Sequence, residues 1–416
     1  MQEAACSAFA TLEEDAERNL VPYLGPILQN LMFAYAKYQA KNLLMLYDAI
    51  GTLADAVGSD LNKPEHVAVL MPPLIAKWAV VPDDDKSIFP MLECFTSVAQ
   101  ALGLGFAPYA EAVFARCASL IESTLRTAAA DAAAADKEFV VCSLDLISGM
   151  IEGMGPAVEP LVQASNLPAL LLVCMRDPVA DVRQSAYALV GDLAKACIAQ
   201  LAPRLAEYLP ILTQQLEPEL VSVCNNASWA IGEVAIKVGP EVRPFVEAVV
   251  QRLVPIVTRA EGQVNKSLLE NTAITLGRLG LVAPDLVAPM LATFIAPWCV
   301  ALRSIRDDVE KEHACLGLCQ LIKLNPHAPL NAMVQMCDAF ASWGAPSAEL
   351  NENFRVIVVG YKGSIPADQW DPPLIIITEL LIIIRYKGSI PADQWDTFYA
   401  TFPPDLRQRL TERYGL

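Results

Sequence analysis

The stretch DPVADVRQSAYAL, Asp177–Leu189, decides how the chain is read. Asp181-Val182-Arg183 opens a run of small and apolar residues that keeps helical spacing to Cys197. An Asp at such a place can cap helix or turn N–H groups, and an Arg can reach a neighbouring element. Alone the triplet means little, but its surroundings recur. Helical patterns stop at Gly58, Gly103, Gly155 and Gly239, and equivalent ones stop without glycine near Cys197, Val282 and Asn325. Glycine directly after a helical run is the usual C-terminal stop. The repeat is about 43 residues long. One step is longer and contains TAAADAAAADK (Thr127–Lys137), a low-complexity loop or helix extension.

Each period holds two helical patterns. The first carries Pro and aromatic residues, as in LAEYLPILTQQL (205–216) and VRPFVEAVVQRLVPIV (242–257). The second is rich in small residues, as in NNASWAIGEVAIKVG (225–239) and NTAITLGRLG (271–280). A helix pair at this period fits HEAT or armadillo units, and D-V-R followed by Ala186 resembles the HEAT signature. The expected fold is all-α: a right-handed α-solenoid of antiparallel helix pairs. First helices line a convex side and second helices a concave one, leaving a long groove and no catalytic cleft.

Composition agrees. The chain has 416 residues, 54% apolar but only 7% aromatic, a mixture that helix-on-helix packing tolerates better than sheets. The net charge of −17 and pI near 4.7 argue against nucleic acid as a direct ligand and favour basic partners. The eleven cysteines lie scattered at apolar positions without a CxxC pair, and read as buried, reduced thiols of a cytosolic or nuclear protein. The first residues form no signal peptide and look like the middle of an amphipathic helix.

In the second helices, residues facing away from the core should recur at i, i+4, i+7. That phase selects Ser7, Thr11 and Glu14; Asp48, Thr52 and Asp55; Asn226, Ala230 and Glu233; and Asn271, Thr275 and Arg278. It also pairs Asp145 with Glu152 and Gln184 with Asp192, and Glu93 sits on the corresponding helix. Acidic and amide residues in one phase on successive helices would attract a basic, extended peptide. Any single triplet is equally an ordinary solvated face. Trp229 lies three positions after Asn226, and two readings stay open for it: core packing, or an apolar anchor for a ligand.

Several strings carry a family resemblance: QEAACSAFATLEE (2–14), KYQAKNLLMLYDAIGTLADAVG (37–58), LNKPEHVAVLMPPLIAKW (61–78), VCNNASWAIGEVAIKVG (223–239) and LLENTAITLGRLG (268–280). They look very like the transportins, karyopherin-β class nuclear import receptors. The resemblance runs to about residue 360, resumes from 396 to the end, and corresponds to the C-terminal half of a full transportin. It implies an arch that holds basic proline-tyrosine nuclear localisation signals of RNA-binding proteins. Ser7, Thr11, Glu14, Asp48, Thr52, Asp55 and Glu93 would hold the Arg-containing C-terminal part of the signal. Asp145, Glu152, Gln184, Asp192, Asn225, Asn226, Trp229 and Asn271 would hold its N-terminal part. The resemblance further implies shuttling between cytoplasm and nucleus, with nucleoporins as further partners. The arch that binds the GTPase Ran in the family, and its long acidic loop, have no counterpart here, so Ran switching is not expected. The alternative reading is a generic HEAT scaffold for protein complexes.

No phosphate-binding glycine loop, dinucleotide fingerprint or nucleophile elbow occurs. His66, His313 and His327 are too dispersed for a metal cluster, and His313 with Cys315 and Cys319 lacks a second ligand pair. The expectation is no enzyme, no cofactor and no metal. One feature stands outside the period. YKGSIPADQWD occurs at 361–371 and again, unchanged, at 386–396, around the apolar run PPLIIITELLIIIR. Removing 372–396 restores one continuous sequence, so the reading is a HEAT arch at 1–371, an anomalous insertion or duplication at 372–396, and a helical cap at 397–416. The apolar run is interrupted by Glu379 and is shorter than the ~20 residues a membrane span needs.

Overall fold

The computed structural model describes residues 2–259 and 262–364, and among them every regular element is helical. The doubled segment beyond Ser364 and the expected cap lie outside the described residues. The chain divides into two compact units, Met1–Gly239 and Pro240–Leu416.

The first unit contains α1 (Gln2–Ala16), α2 (Leu24–Lys37), α3 (Ala40–Val57), α4 (Pro64–Trp78), α5 (Phe89–Leu102), α6 (Ala107–Ala130), α7 (Glu138–Met154), α8 (Glu159–Gln163), α9 (Leu167–Cys174), α10 (Ala180–Cys197), α11 (Leu205–Gln214) and α12 (Val221–Val238). The small-residue helices form one row: α1 packs on α3, α3 on α5, α5 on α7, α7 on α10 and α10 on α12. Most pair with the first helix before them, as α6 does with α7 and α11 with α12. The second unit repeats the scheme with α13 (Arg243–Val257), α14 (Lys266–Val282), α15 (Pro284–Val287), α16 (Leu291–Ser304), α17 (Val309–Leu324), α18 (Met333–Ala341) and α19 (Ala348–Ser364). There α14 packs on α17 and α17 on α19. Both units are HEAT-type α-solenoid.

The sequence stops are real, but take two backbone forms. Gly58, Gly103, Gly155 and Gly239 have φ of +53° to +61°, where an L side chain is strained. The stops without glycine keep a negative φ instead, at Cys197 (φ −150°), Ala283 (φ −145°) and Asn325 (φ −130°). The Thr127–Lys137 stretch proves to be both extension and loop: α6 runs on to Ala130, and a turn follows.

The small residues of the second helices allow close approach. A Cβ on Gly153 of α7 would lie 2.3 Å from the Ala99 carbonyl oxygen of α5. In the second unit a Cβ on Gly317 would lie 1.9 Å from the Gly277 oxygen. Aliphatic side chains and a few fully buried aromatics, including Phe95, Phe106, Tyr187 and Tyr208, fill the space between the rows. The buried phenols are satisfied: Tyr187 donates to the Met175 oxygen at 2.8 Å and Tyr208 to the Pro168 oxygen at 2.7 Å. Three helical stretches (86–130, 138–163 and 284–304) are long and apolar enough to cross a membrane by length and composition; half or more of each window is buried inside the fold.

The deciding stretch works differently from its first reading. Asp181 does not cap α10; it is exposed in the first turn. Asp177, four residues earlier, accepts from the Val179 N–H at 3.0 Å and pairs with Lys137 of the preceding repeat at 2.5 Å. Arg183 does tie repeats. Its Nη1 donates to the Asp177 and Pro178 oxygens, and its Nε donates to Gln215, just beyond α11, at 3.2 Å. In the second unit buried Lys311 does comparable work, donating to the Ile305 oxygen (2.9 Å) and the Asp307 carboxylate (2.7 Å).

Candidate ligand-binding face

The residues selected by phase lie on the row of second helices. On α1, Ser7, Thr11 and Glu14 are exposed, and the Thr11 hydroxyl donates to the Ser7 carbonyl at 3.1 Å. On α3, Asp48 and Asp55 are exposed and Thr52 is half-buried. Ser97 of α5 donates to Asp55 at 3.0 Å. Glu93 of α5 is exposed. On α7, Asp145 is half-buried and Glu152 exposed, and Glu152 accepts a hydrogen bond from Gln100 of α5. Gln184 of α10 is half-buried, and its carbonyl accepts from Asn226 of α12 at 3.0 Å. Asn225 donates to Asn226 at 3.1 Å.

The phase argument overshoots at several positions. Asp192 is only 4% exposed and accepts a hydrogen bond from Ser148 of α7. Ala230 and Glu233 on α12, and Thr275 and Arg278 on α14, are also buried rather than facing solvent. Phase along one helix gives a direction only, and at these positions a neighbouring element covers it. Asn271 is half-buried on α14 and belongs to the second unit.

Trp229 is half-buried, and its indole lies across Gly191 of α10, where an added Cβ would sit 2.1 Å from the ring. The Lys195 ammonium lies 5.6 Å from the ring centroid. The ring is thus held in place by a glycine on the adjacent helix while keeping part of its surface free.

Asp55, Glu93, Asp145 and Asp192 of the row resist ionisation. Partial burial raises Glu93, and the negative charges of Glu138, Asp48 and Asp145 add to the effect. Burial raises Asp55, with the Ser97 hydroxyl pulling the other way. Burial raises Asp145 against the hydrogen bond from Ser185, and Glu138 raises it further. Asp192 is pushed up to about 7 by burial, opposed by Ser148 and Lys195 and reinforced by Glu152 and Glu233. Carboxylates raised by desolvation and by one another are stabilised when a cation is brought among them. The face is chemically suited to guanidinium and ammonium groups, with amides for an extended backbone. Sequence reasoning missed Ser97, Gln100, Ser148 and Ser185. Their signal was available in the period: each lies 40 to 52 residues from the carboxylate it serves.

No family model matches the chain. Individual proteins do. Transportin-1 of Homo sapiens is 52% identical over 422 residues, covering 100% of this chain and 44% of the relative. The chain is homologous to the transportins along its whole length. Transportin-1 of Oryza sativa subsp. japonica is 54% identical over 380 residues, 89% of this chain and 42% of the relative. Importin subunit beta-2 of Schizosaccharomyces pombe is 42% identical over 369 residues, 86% of this chain and 40% of the relative. The chain therefore spans less than half the length of these transportin relatives. Among solved structures, importin beta superposes with a TM-score of 0.56 at 13% identity, over 92% of this chain and 52% of that one. An engineered protein superposes at 0.52 with 13% identity, over 92% of this chain and 95% of that one. These two likenesses establish the fold; the transportin homology rests on sequence.

Proposed function

We propose that this chain is the cargo-holding part of a nuclear import receptor, taking an extended, basic proline-tyrosine nuclear localisation signal along its second-helix row. The observation that carries this reading is the row itself. Carboxylates on α3, α5, α7 and α10 share one another's field, with Lys195 the cation that acts on Asp192, and a held indole follows on α12. Transportin homology over the whole chain supports it. Arg and Lys side chains of the signal pair with Asp48, Asp55, Glu93, Asp145 and Glu152. Amides of Asn225 and Asn226 serve its backbone; Asn271 is a proposed contact of the second unit taken by itself. Trp229 packs an apolar side chain. Ser7, Thr11, Glu14, Thr52 and Gln184 complete the proposed contacts, and buried Asp192 adds its charge from beneath the face. The chain catalyses no reaction and shuttles between cytoplasm and nucleus with its cargo; nucleoporins are further partners.

The test is titration of a fluorescent basic Pro-Tyr peptide. Binding is expected to weaken as salt rises, because exposed charge pairs are screened. Trp229→Ala is expected to lose ~1–3 kcal/mol of binding free energy, the scale of an interface anchor. Equal binding of a scrambled acidic peptide would sink the proposal and favour a general scaffold for folded partners.

A further inference from the structure

The seam between α7 and α10 carries a reciprocal arrangement. Ser148 of α7 donates to Asp192 of α10, while Ser185 of α10 hydrogen-bonds Asp145 of α7. The two hydroxyls cross between helices in opposite directions, and each holds a carboxylate one repeat away. Asp192 and Ser185 are buried, and Asp145 and Ser148 half-buried. A hydroxyl donated to a carboxylate in such a place favours both its rotamer and its ionised form.

We propose that Ser148 and Ser185 are positioning residues of the cation-binding face, holding Asp192 and Asp145 ionised and aimed so that this stretch of the row accepts a positively charged ligand side chain at neutral pH. The proposal rests on the receptor reading above and goes beyond it, because neither serine touches the ligand. The charged groups that face the pair come from every side. Glu152 on α7, Lys195 on α10 and Glu233 on α12 act on Asp192. Glu138 on α7 acts on Asp145, and Asp145 in turn acts on Glu93 of α5. Negative charge dominates this set. Without the serine hydroxyls both carboxyls would hold their protons to higher pH. Asp192 is the more sensitive, since burial has already brought it to about 7. A protonated carboxyl offers a cation no charge to pair with, so ligand binding would release a proton here and weaken as the pH falls.

The experiment uses the full chain and a basic Pro-Tyr peptide whose cations are all Arg, so that its side-chain charge is constant between about pH 6 and pH 9. Affinity is measured across that range for wild type, Ser148→Ala, Ser185→Ala and Ser148→Thr. Ser185→Ala is expected to weaken binding towards the low end of the pH range, and Ser148→Ala to bind about three- to tenfold more weakly at about pH 7, the effect of losing a hydrogen bond to a charged group. The midpoint of its pH profile should move up by about one unit. Near pH 9 the alanine variants should match wild type, because the carboxyls ionise there without help. Ser148→Thr keeps the hydroxyl and should restore the wild-type profile. Equal loss at every pH would show general damage to the seam and overturn the proposal, as would an unmoved midpoint. Failure of wild type to bind the peptide at all would remove the receptor reading. The serine role is then read separately, by carbon-13 NMR titration of labelled aspartate, with Asp192→Asn used for assignment. An unchanged Asp192 titration in Ser148→Ala overturns that role, and a raised one upholds it.

Discussion

Glu13 sends its carboxylate into the contact between α1 and α3, fully buried, with neither oxygen hydrogen-bonded. Burial, with the charge of Asp48 added, raises it to about 8. The sign of the pH effect follows from linkage. The folded state keeps this proton while the unfolded chain loses it near pH 4.3, so the group's contribution to stability is full at low pH. It declines as pH rises towards 8 and then levels off. Glu13→Gln is therefore expected to leave the melting temperature unchanged near pH 4 and to raise it near pH 8. Each kcal/mol gained is worth about 2–4 °C in a unit of this size. Thermal melts of both proteins at the two pH values check this, and a gain at low pH as large as at high pH would contradict it. Glu13 was not legible in the sequence. It sits one position before the phase-selected Glu14, and only the packing of α1 on α3 separates a buried acid from an exposed one. Arg183 was legible as a tie between repeats, whereas α10 has no side-chain cap and Asp177 instead closes the turn before it, because a loop residue can reach that turn and a residue already inside the helix cannot.

Between helices, the close seams depend on missing side chains. Gly317 and Gly277 let α17 and α14 meet backbone to backbone, and a Cβ on Gly317 would overlap a carbonyl oxygen that cannot move without its helix. Gly317→Ala is expected to destabilise the second unit by about 1–3 kcal/mol, the usual cost of overpacking. Denaturant melts followed by the Trp298 fluorescence of that unit report it; an unchanged midpoint would show that the helices slide apart freely. The helix pairs, their period and their glycine stops were legible because each rests on local chemistry: apolar spacing, proline placement and left-handed backbone. The polar row was legible only in part. Glu93, Asp48 and Asp55 came out exposed, while Asp192, Glu233 and Arg278 did not. Phase along one helix states a direction, but the neighbour that covers it belongs to another repeat. The serines were overlooked because a hydroxyl on a helix has no distinctive local pattern.

For the molecule as a whole, the period of about 43 residues separates what belongs to the solenoid from what does not. The second copy of YKGSIPADQWD returns after 25 residues, out of step with every helix pair. A protein lacking 372–396 is expected to keep the helical circular dichroism and the peptide affinity of the full chain within about twofold. A larger loss of either would make the segment a working part of the protein. The same regularity has a consequence for the eleven cysteines, all of them buried. They fall on α1, α5, α6, α7, α9, α10, α12, α16, α17 and α18, almost one station per helix pair. A buried thiol reacts with an alkylating reagent only after its own neighbourhood opens. The natural chain is thus its own calibrated set of timers. Brief alkylation followed by peptide mass mapping would record the order in which the helix pairs open, with no probe introduced and no residue changed.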